Sequence, residues 1–169
     1  MSATLPILTA FKQHLKTQFL DWSVDLMPNV PANYYLAHPN GAIIISYAGS
    51  KFGAKDTTNV VIQDRVVHIA ISVIARNLHD DVGALNVLDE LRLAIVGFEP
   101  PNCRGCWLVE EAYDGNDENT GVWIYQLIVA TSTMQVERTK EQDLPKLVEI
   151  IQRRKNQPLD PRLTKKEEK

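Results

Sequence analysis

The run from Val61 to Ala75 constrains the fold more than any other part of this chain. Val67, Ile69, Ile71 and Val73 fall on one side of an extended backbone, and His68, Ala70, Ser72 and Ile74 on the other. Side chains alternate across a strand, so this period specifies a β-strand with two distinct faces. A strand so long, with Arg65 and Arg76 near its ends, is predicted to be a central element of a sheet.

The other elements follow from similar patterns. Leu5, Leu8, Phe11, Leu15 and Phe19 recur at helical spacing, with Thr4 or Ser2 to cap the start and Pro6 tolerated in the first turn. Asp21–Met27 reads as a short strand, followed by a Pro-rich passage from Pro28 to Pro39 that carries Tyr34 and Tyr35. Ala42–Tyr47, rich in Ile, reads as a strand buried on both faces. Gly49–Asn59 has two glycines, two lysines and no period, so it reads as a long loop, the kind of connection that is often functional. A second helix, capped by Asp80 or Asp81, carries the stripe Leu85, Leu88, Leu91, Arg92 and Ile95. Gly97 can take the left-handed conformation that ends it, and Pro100-Pro101 stop it from restarting. Cys106–Tyr113 and Val122–Thr133 form a hairpin across the turn-rich link 114–121. Asp143 caps a last helix with Leu144, Leu147, Val148 and Ile151 on its apolar side. The order α-β-β-β-α-β-β-α predicts an α+β fold: a single domain over residues 1–155, with a largely antiparallel β-sheet and helices packed on one face, then a charged, Pro-containing tail over 156–169.

Composition narrows the class. With 44% apolar and 23% charged residues among 169, the chain is that of an ordinary globular protein, and a net charge of -3 argues against a dedicated DNA-coating role. The first residues have no basic segment followed by an apolar run of signal-peptide length, and the apolar stretch at Ala42–Ile45 is far too short to span a bilayer. The expectation is a soluble protein made and kept in a cytoplasm.

Each motif that might carry chemistry lacks a necessary part. Cys103-Arg-Gly-Cys106 enters a strand, whereas a redox dithiol sits at a helix N-terminus that lowers its thiol pKa. A structural zinc would need two more ligands, and His14, His38, His68 and His79 are scattered. Glu110, Glu111, Asp114, Asp117 and Glu118 cluster at the hairpin without EF-hand spacing, and Glu110 and Glu111 point to opposite faces. His68 has Asp64 and Ser72 on its own face, at intervals too long for a proton relay. Gly49-x-x-x-Gly53, with Lys51 and Lys55, lacks the Gly-Lys-Ser/Thr of a phosphate loop. Trp107, Trp123, Tyr113 and Tyr125 sit at strand spacing and read as cross-strand core partners. The sequence predicts no catalytic residue, no metal ligand and no cofactor.

Several segments, in order, carry a resemblance. They are the strand Val66–Leu78 ending in Ala-Arg-Asn-Leu, the helix with Leu88-Asp-Glu-Leu-Arg92, and the exit Gly97-Phe-Glu-Pro-Pro-Asn-Cys103. The acidic hairpin strand follows, then Gly121-Val-Trp-Ile-Tyr125 and Ala130-Thr-Ser-Thr-Met134. This ordered set, spanning about Asp64 to Val136, resembles the small tail proteins of Mu-like phages and prophages, of the tail terminator (tail completion) type. The Lys51–Lys55 region and the charged C-terminus lie outside it.

The resemblance implies a structural virion protein that forms a homohexameric ring on the head-proximal end of a contractile tail. Such a ring stops growth of the tail tube and sheath and joins the tail to the neck. The implied partners are further copies of the chain, the tube and sheath proteins, neck or connector proteins, and DNA only as genome passing through the lumen. No membrane is involved. The implied location is the virion, with assembly in the host cytoplasm.

A ring uses heterologous contacts, in which one surface meets a different surface of the next copy. The expected contact brings Asp114, Asp117 and Glu118 to a neighbour's Lys51, Phe52 and Lys55, with Arg153 and Arg154 of the tail as a further partner-binding patch. The alternatives are a neck or head-completion adaptor, a small metal-dependent enzyme, and a regulatory module with the basic tail as its effector arm.

Overall fold

A computed structural model describes residues 3–30, 34–55, 60–117 and 121–138. The last helix expected from Asp143 and the tail over 156–169 lie outside the described residues. The chain divides into two compact units, Met1–Val136 and Glu137–Lys169, and every described element belongs to the first.

The elements run α1 (Leu5–Gln18), β1 (Ser23–Leu26), β2 (Gly41–Phe52), β3 (Ile62–Ala75), α2 (Ala84–Ile95), β4 (Trp107–Asp117) and β5 (Val122–Val136). One five-stranded sheet has the order β1-β2-β3-β5-β4, so the long alternating strand is central, as its period predicts. All neighbours pair antiparallel except β1, which runs parallel to β2. The sheet is therefore mixed, and the fold is α+β.

β3 shows how the pattern builds the core. Val67, Ile69, Ile71, Val73 and Ala75 point to one face and are buried there with Ile43 and Ile45 of β2 and Leu127 and Val129 of β5. Both helices add to this same cluster. α1 contributes Ile7, Phe11 and Leu15, a stripe that differs from the expected one because Leu5 faces solvent. α2 contributes Ala84, Val87, Leu88, Leu91 and Ile95, while Leu85 is exposed. Arg92, placed on the stripe by spacing, instead reaches Asp89 and Glu111 at its margin. α2 starts at Gly83, with no side-chain cap from Asp80 or Asp81, because the backbone of Asn77 and Leu78 accepts bonds from the first-turn amides of Ala84 and Leu85. Gly97, at φ +82°, takes the left-handed turn expected after α2, and its N–H donates to Cys106 O at 2.9 Å.

On the opposite face, Arg76 donates to Leu36 O at 3.1 Å and His38 O at 3.4 Å. Those bonds fasten residues 34–38 beside Ile74, Val122 and Ile124, and burial pushes the Tyr34 phenol above its usual value. Ala42, Ile43, Ile44 and Ile45 are all buried, so β2 begins as the two-sided strand its composition predicts. Among the described residues, no helix is long and apolar enough to cross a membrane.

Candidate functional site

The sheet has two unlike ends. At one end β2 terminates at Phe52, opposite Arg65 of β3, which in turn faces Thr133 of β5. At the other end are Gly41, opposite Ala75, then Trp123, Val122 and Asp117.

The Phe52 end corrects the loop reading of Gly49–Asn59. β2 continues through Phe52, and the register shift between Tyr47 and Gly49 marks a bulge. Gly49 takes φ +135°, a conformation open to glycine, and this lets pairing resume through Ser50, Lys51 and Phe52. The side chains of residues 51–55 are exposed, Phe52 at 55%. Gly53 N–H donates to Asp64 O at 2.8 Å, and Gln63 Nε2 donates to Gly53 O at 3.2 Å, so the strand end is held as it turns towards Lys55.

Arg65 supports this end from within. Its side chain, only 8% exposed, donates from Nε to Ser50 Oγ at 2.9 Å and from Nη2 to Thr4 Oγ1 at 2.8 Å. Tyr47 OH donates to the same Ser50 oxygen at 2.9 Å. The bond that Ser50 gives the ionised Tyr47 oxygen, with Arg65 beside it, holds the Tyr47 phenol below its usual value. One guanidinium thus ties the start of α1 to the end of β2. Two charge-assisted bonds are lost in Arg65→Ala, which is expected to cost about 2 kcal/mol in urea unfolding. Arg65→Lys is expected to recover less than half, because a single ammonium cannot reproduce the fork geometry.

The acidic residues lie at the far end. Asp114 is not in a loop but in β4, at a second register shift between Tyr113 and Gly115, and it is exposed. Asp117 closes β4 opposite Val122, so the connection is shorter than expected. Glu118, Arg153 and Arg154 lie outside the described residues. Arg65 and Ala75, which mark the two ends on β3, are separated by ten steps of strand, or about 33 Å. Lys51 and Lys55 therefore cannot meet Asp114 and Asp117 within one copy.

A further surface at the Gly41 end was not foreseen. A groove of about 380 Å³ runs between the C-terminal end of α1 and α2, lined by Phe19, Leu20, Trp22, Val82, Leu93 and Ala94, among others. Leu20 and Leu93 are 82% and 77% exposed. Asp21, Asp81 and Glu90 also line it, with no lysine or arginine among the described residues. The available signal in the sequence was that Leu93 falls off the stripe Val87, Leu88, Leu91, Ile95.

The remaining motifs have structural explanations. Burial pushes the Cys103 thiol up and the Cys106 thiol to about 12, the reverse of what a redox pair requires. The turn before Cys103, with Asn102 at φ +59°, instead lines β5: Arg104 N–H donates to Ser132 O at 2.9 Å and Thr133 Oγ1 to Asn102 O at 2.7 Å. Native Cys106 is expected to react with iodoacetamide at pH 8 far more slowly than in urea, since burial pushes its thiol up to about 12 and leaves little thiolate. The unfolded thiol loses its proton first as pH rises. This contribution to stability is therefore complete below pH 9 and declines between 9 and about 12. Glu111 meets Arg92 on the helix-covered face, whereas Glu110 pairs with Ile128 on the other, so the two carboxylates share no site. Tyr113 and Tyr125 are a cross-strand pair with ring centroids 5.3 Å apart, but Tyr113 and Trp107 are exposed rather than in the core.

The sequence model of the Gp37 protein family matches residues 12–152. No curated protein matches the chain.

Proposed function

The chain belongs to the Gp37 protein family, a phage protein family, and on that premise we propose that it is a tail terminator. Its copies close into a hexameric ring on the head-proximal end of the tail. The ring ends polymerisation of the tube and sheath and presents the surface that joins the neck. It carries no catalytic centre; its work is done by surfaces.

The separation of charge along the sheet supports this reading. Lys51, Phe52 and Lys55 stand at one end of β2, and Asp114 and Asp117 near the other end of the sheet. Unlike surfaces at opposite ends make head-to-tail contacts, which generate closed rings when the rotation per copy divides a full turn. An acidic balance also suits a lumen through which DNA must slide without its phosphates being held.

The test is to add the purified protein to tail tube subunits during polymerisation and measure tube lengths by electron microscopy. The terminator reading expects rings on one end of each tube and an arrest of growth. Binding to the portal side with no effect on tube length would assign the chain to the neck instead.

A further inference from the structure

We propose that the groove at the Gly41 end of one copy seats the Phe52 end of a second copy. Phe52 enters as the apolar insert, and Lys51 and Lys55 lie against the acidic rim. This inference rests on the ring reading and names the contact that would build the ring.

The two surfaces carry opposite charges, each beside exposed apolar side chains. The groove has a mixed lining, with Leu20 and Leu93 as its exposed apolar side chains and carboxylates at Asp21, Asp81 and Glu90. The opposing end exposes Phe52, with Lys51 before it on the other face of the same strand end and Lys55 three residues beyond, and neither lysine forms an ion pair among the described residues. An aromatic anchor in an apolar pocket, surrounded by opposite charges, is the arrangement that concentrates binding energy at protein interfaces.

Position decides which copy supplies the insert. A Cβ on Gly41 would meet the ring of Trp22, a groove residue, so the groove lies at the start of β2 and Phe52 is the last residue of that strand. Twelve residues of strand separate the two by about 35 Å, so no copy fills its own groove. The acidic hairpin supplies charge at the same end of the sheet, but Asp114 stands on the exposed edge strand, whereas the groove provides charge together with a recess. Because insert and seat are different surfaces, each copy uses both, and the contact repeats from copy to copy.

Cysteine trapping tests this directly. In a Cys103→Ser background, chains carrying Phe52→Cys and Leu93→Cys are mildly oxidised at high protein concentration. The expected product is a ladder of chain-to-chain disulfides, with none when Phe52→Cys is paired with Tyr113→Cys on the hairpin strand. Absence of the ladder, or equal trapping to Tyr113→Cys, would overturn the seat.

Charge reversal provides a second arm. Lys51→Glu with Lys55→Glu, or Asp81→Lys with Glu90→Lys, is expected to raise the concentration needed for half-assembly at least about tenfold. Combining the two sets is expected to restore assembly, and failure of that rescue counts against the pairing. If the unaltered protein forms rings but the Phe52→Cys, Leu93→Cys chains give no trap, the seat is wrong and the ring stands. If the unaltered protein neither self-associates nor caps tubes, the ring reading itself fails.

Discussion

Phe11→Ala is expected to destabilise the protein by about 3–5 kcal/mol and to lower its melting temperature by roughly 10 °C or more. Phe11 is fully buried in the middle of α1, with Ile7 and Leu15 on the same stripe. It meets Phe98 edge-on at 5.3 Å, and Phe98 stacks on His14 at 4.1 Å. His14 Nε2 in turn lies 2.8 Å from Ala94 O, near the end of α2. Truncating Phe11 leaves a cavity between the helices and removes the aromatic contact that orders the turn after α2. Phe11→Leu, which keeps most of the volume, is expected to lose less than half as much, and chemical unfolding of both variants checks the ordering.

Gly41→Val is expected to be at least as damaging. A Cβ at Gly41 would collide with the carbonyl oxygen of Ile74 and with Trp22 Cζ3. The Ile74 oxygen belongs to the central strand, whose ladder with β2 and β5 leaves it no room to move. The backbone at φ +155° adds to the strain. A loss of at least about 3 kcal/mol follows, with misfolding at 37 °C the expected practical result. Gly49→Ala is the control: at φ +135° it meets the same backbone objection, but no atom lies within 4 Å of the added Cβ, so a loss of about 1–2 kcal/mol is expected. If both variants lost the same amount, backbone strain rather than collision would be responsible. Because Trp22 lines the groove, Gly41→Ala is also expected to weaken assembly beyond its effect on folding.

What could be read from the sequence was whatever a local period or stop signal encodes. The alternation from Val67 to Ile74 placed the central strand and assigned its faces correctly, and Gly97 ended α2 as expected. The Ile-rich start of β2 was recognised as buried on both faces. The errors arose where tertiary contacts override local pattern. β2 reads as ending near Tyr47 because a bulge at Gly49 breaks the alternation, although pairing with β3 resumes beyond it. Asp80 and Asp81 look like caps, but backbone carbonyls of the preceding turn satisfy α2 instead. Leu5 has the right residue type for the α1 stripe, yet the true stripe starts at Ile7, set by where the helix meets the sheet.

Part of the candidate site is legible in composition. Lys51, Phe52 and Lys55 stand out by residue type, and the structure exposes them at one end. The acidic partners expected for them, Asp114, Asp117 and Glu118, are read from their clustering in sequence. The groove stayed hidden because it joins residues 18–22 to residues 81–94, segments related only through folding.

The central claim is that these copies assemble head to tail into a ring that caps a tail. Native mass spectrometry of the purified protein across a concentration series, alone and with tail tubes, tests it most directly. The account predicts a closed hexamer, formed as concentration rises or upon addition of tubes. A chain that stays monomeric under both conditions and leaves the tubes unbound would contradict it.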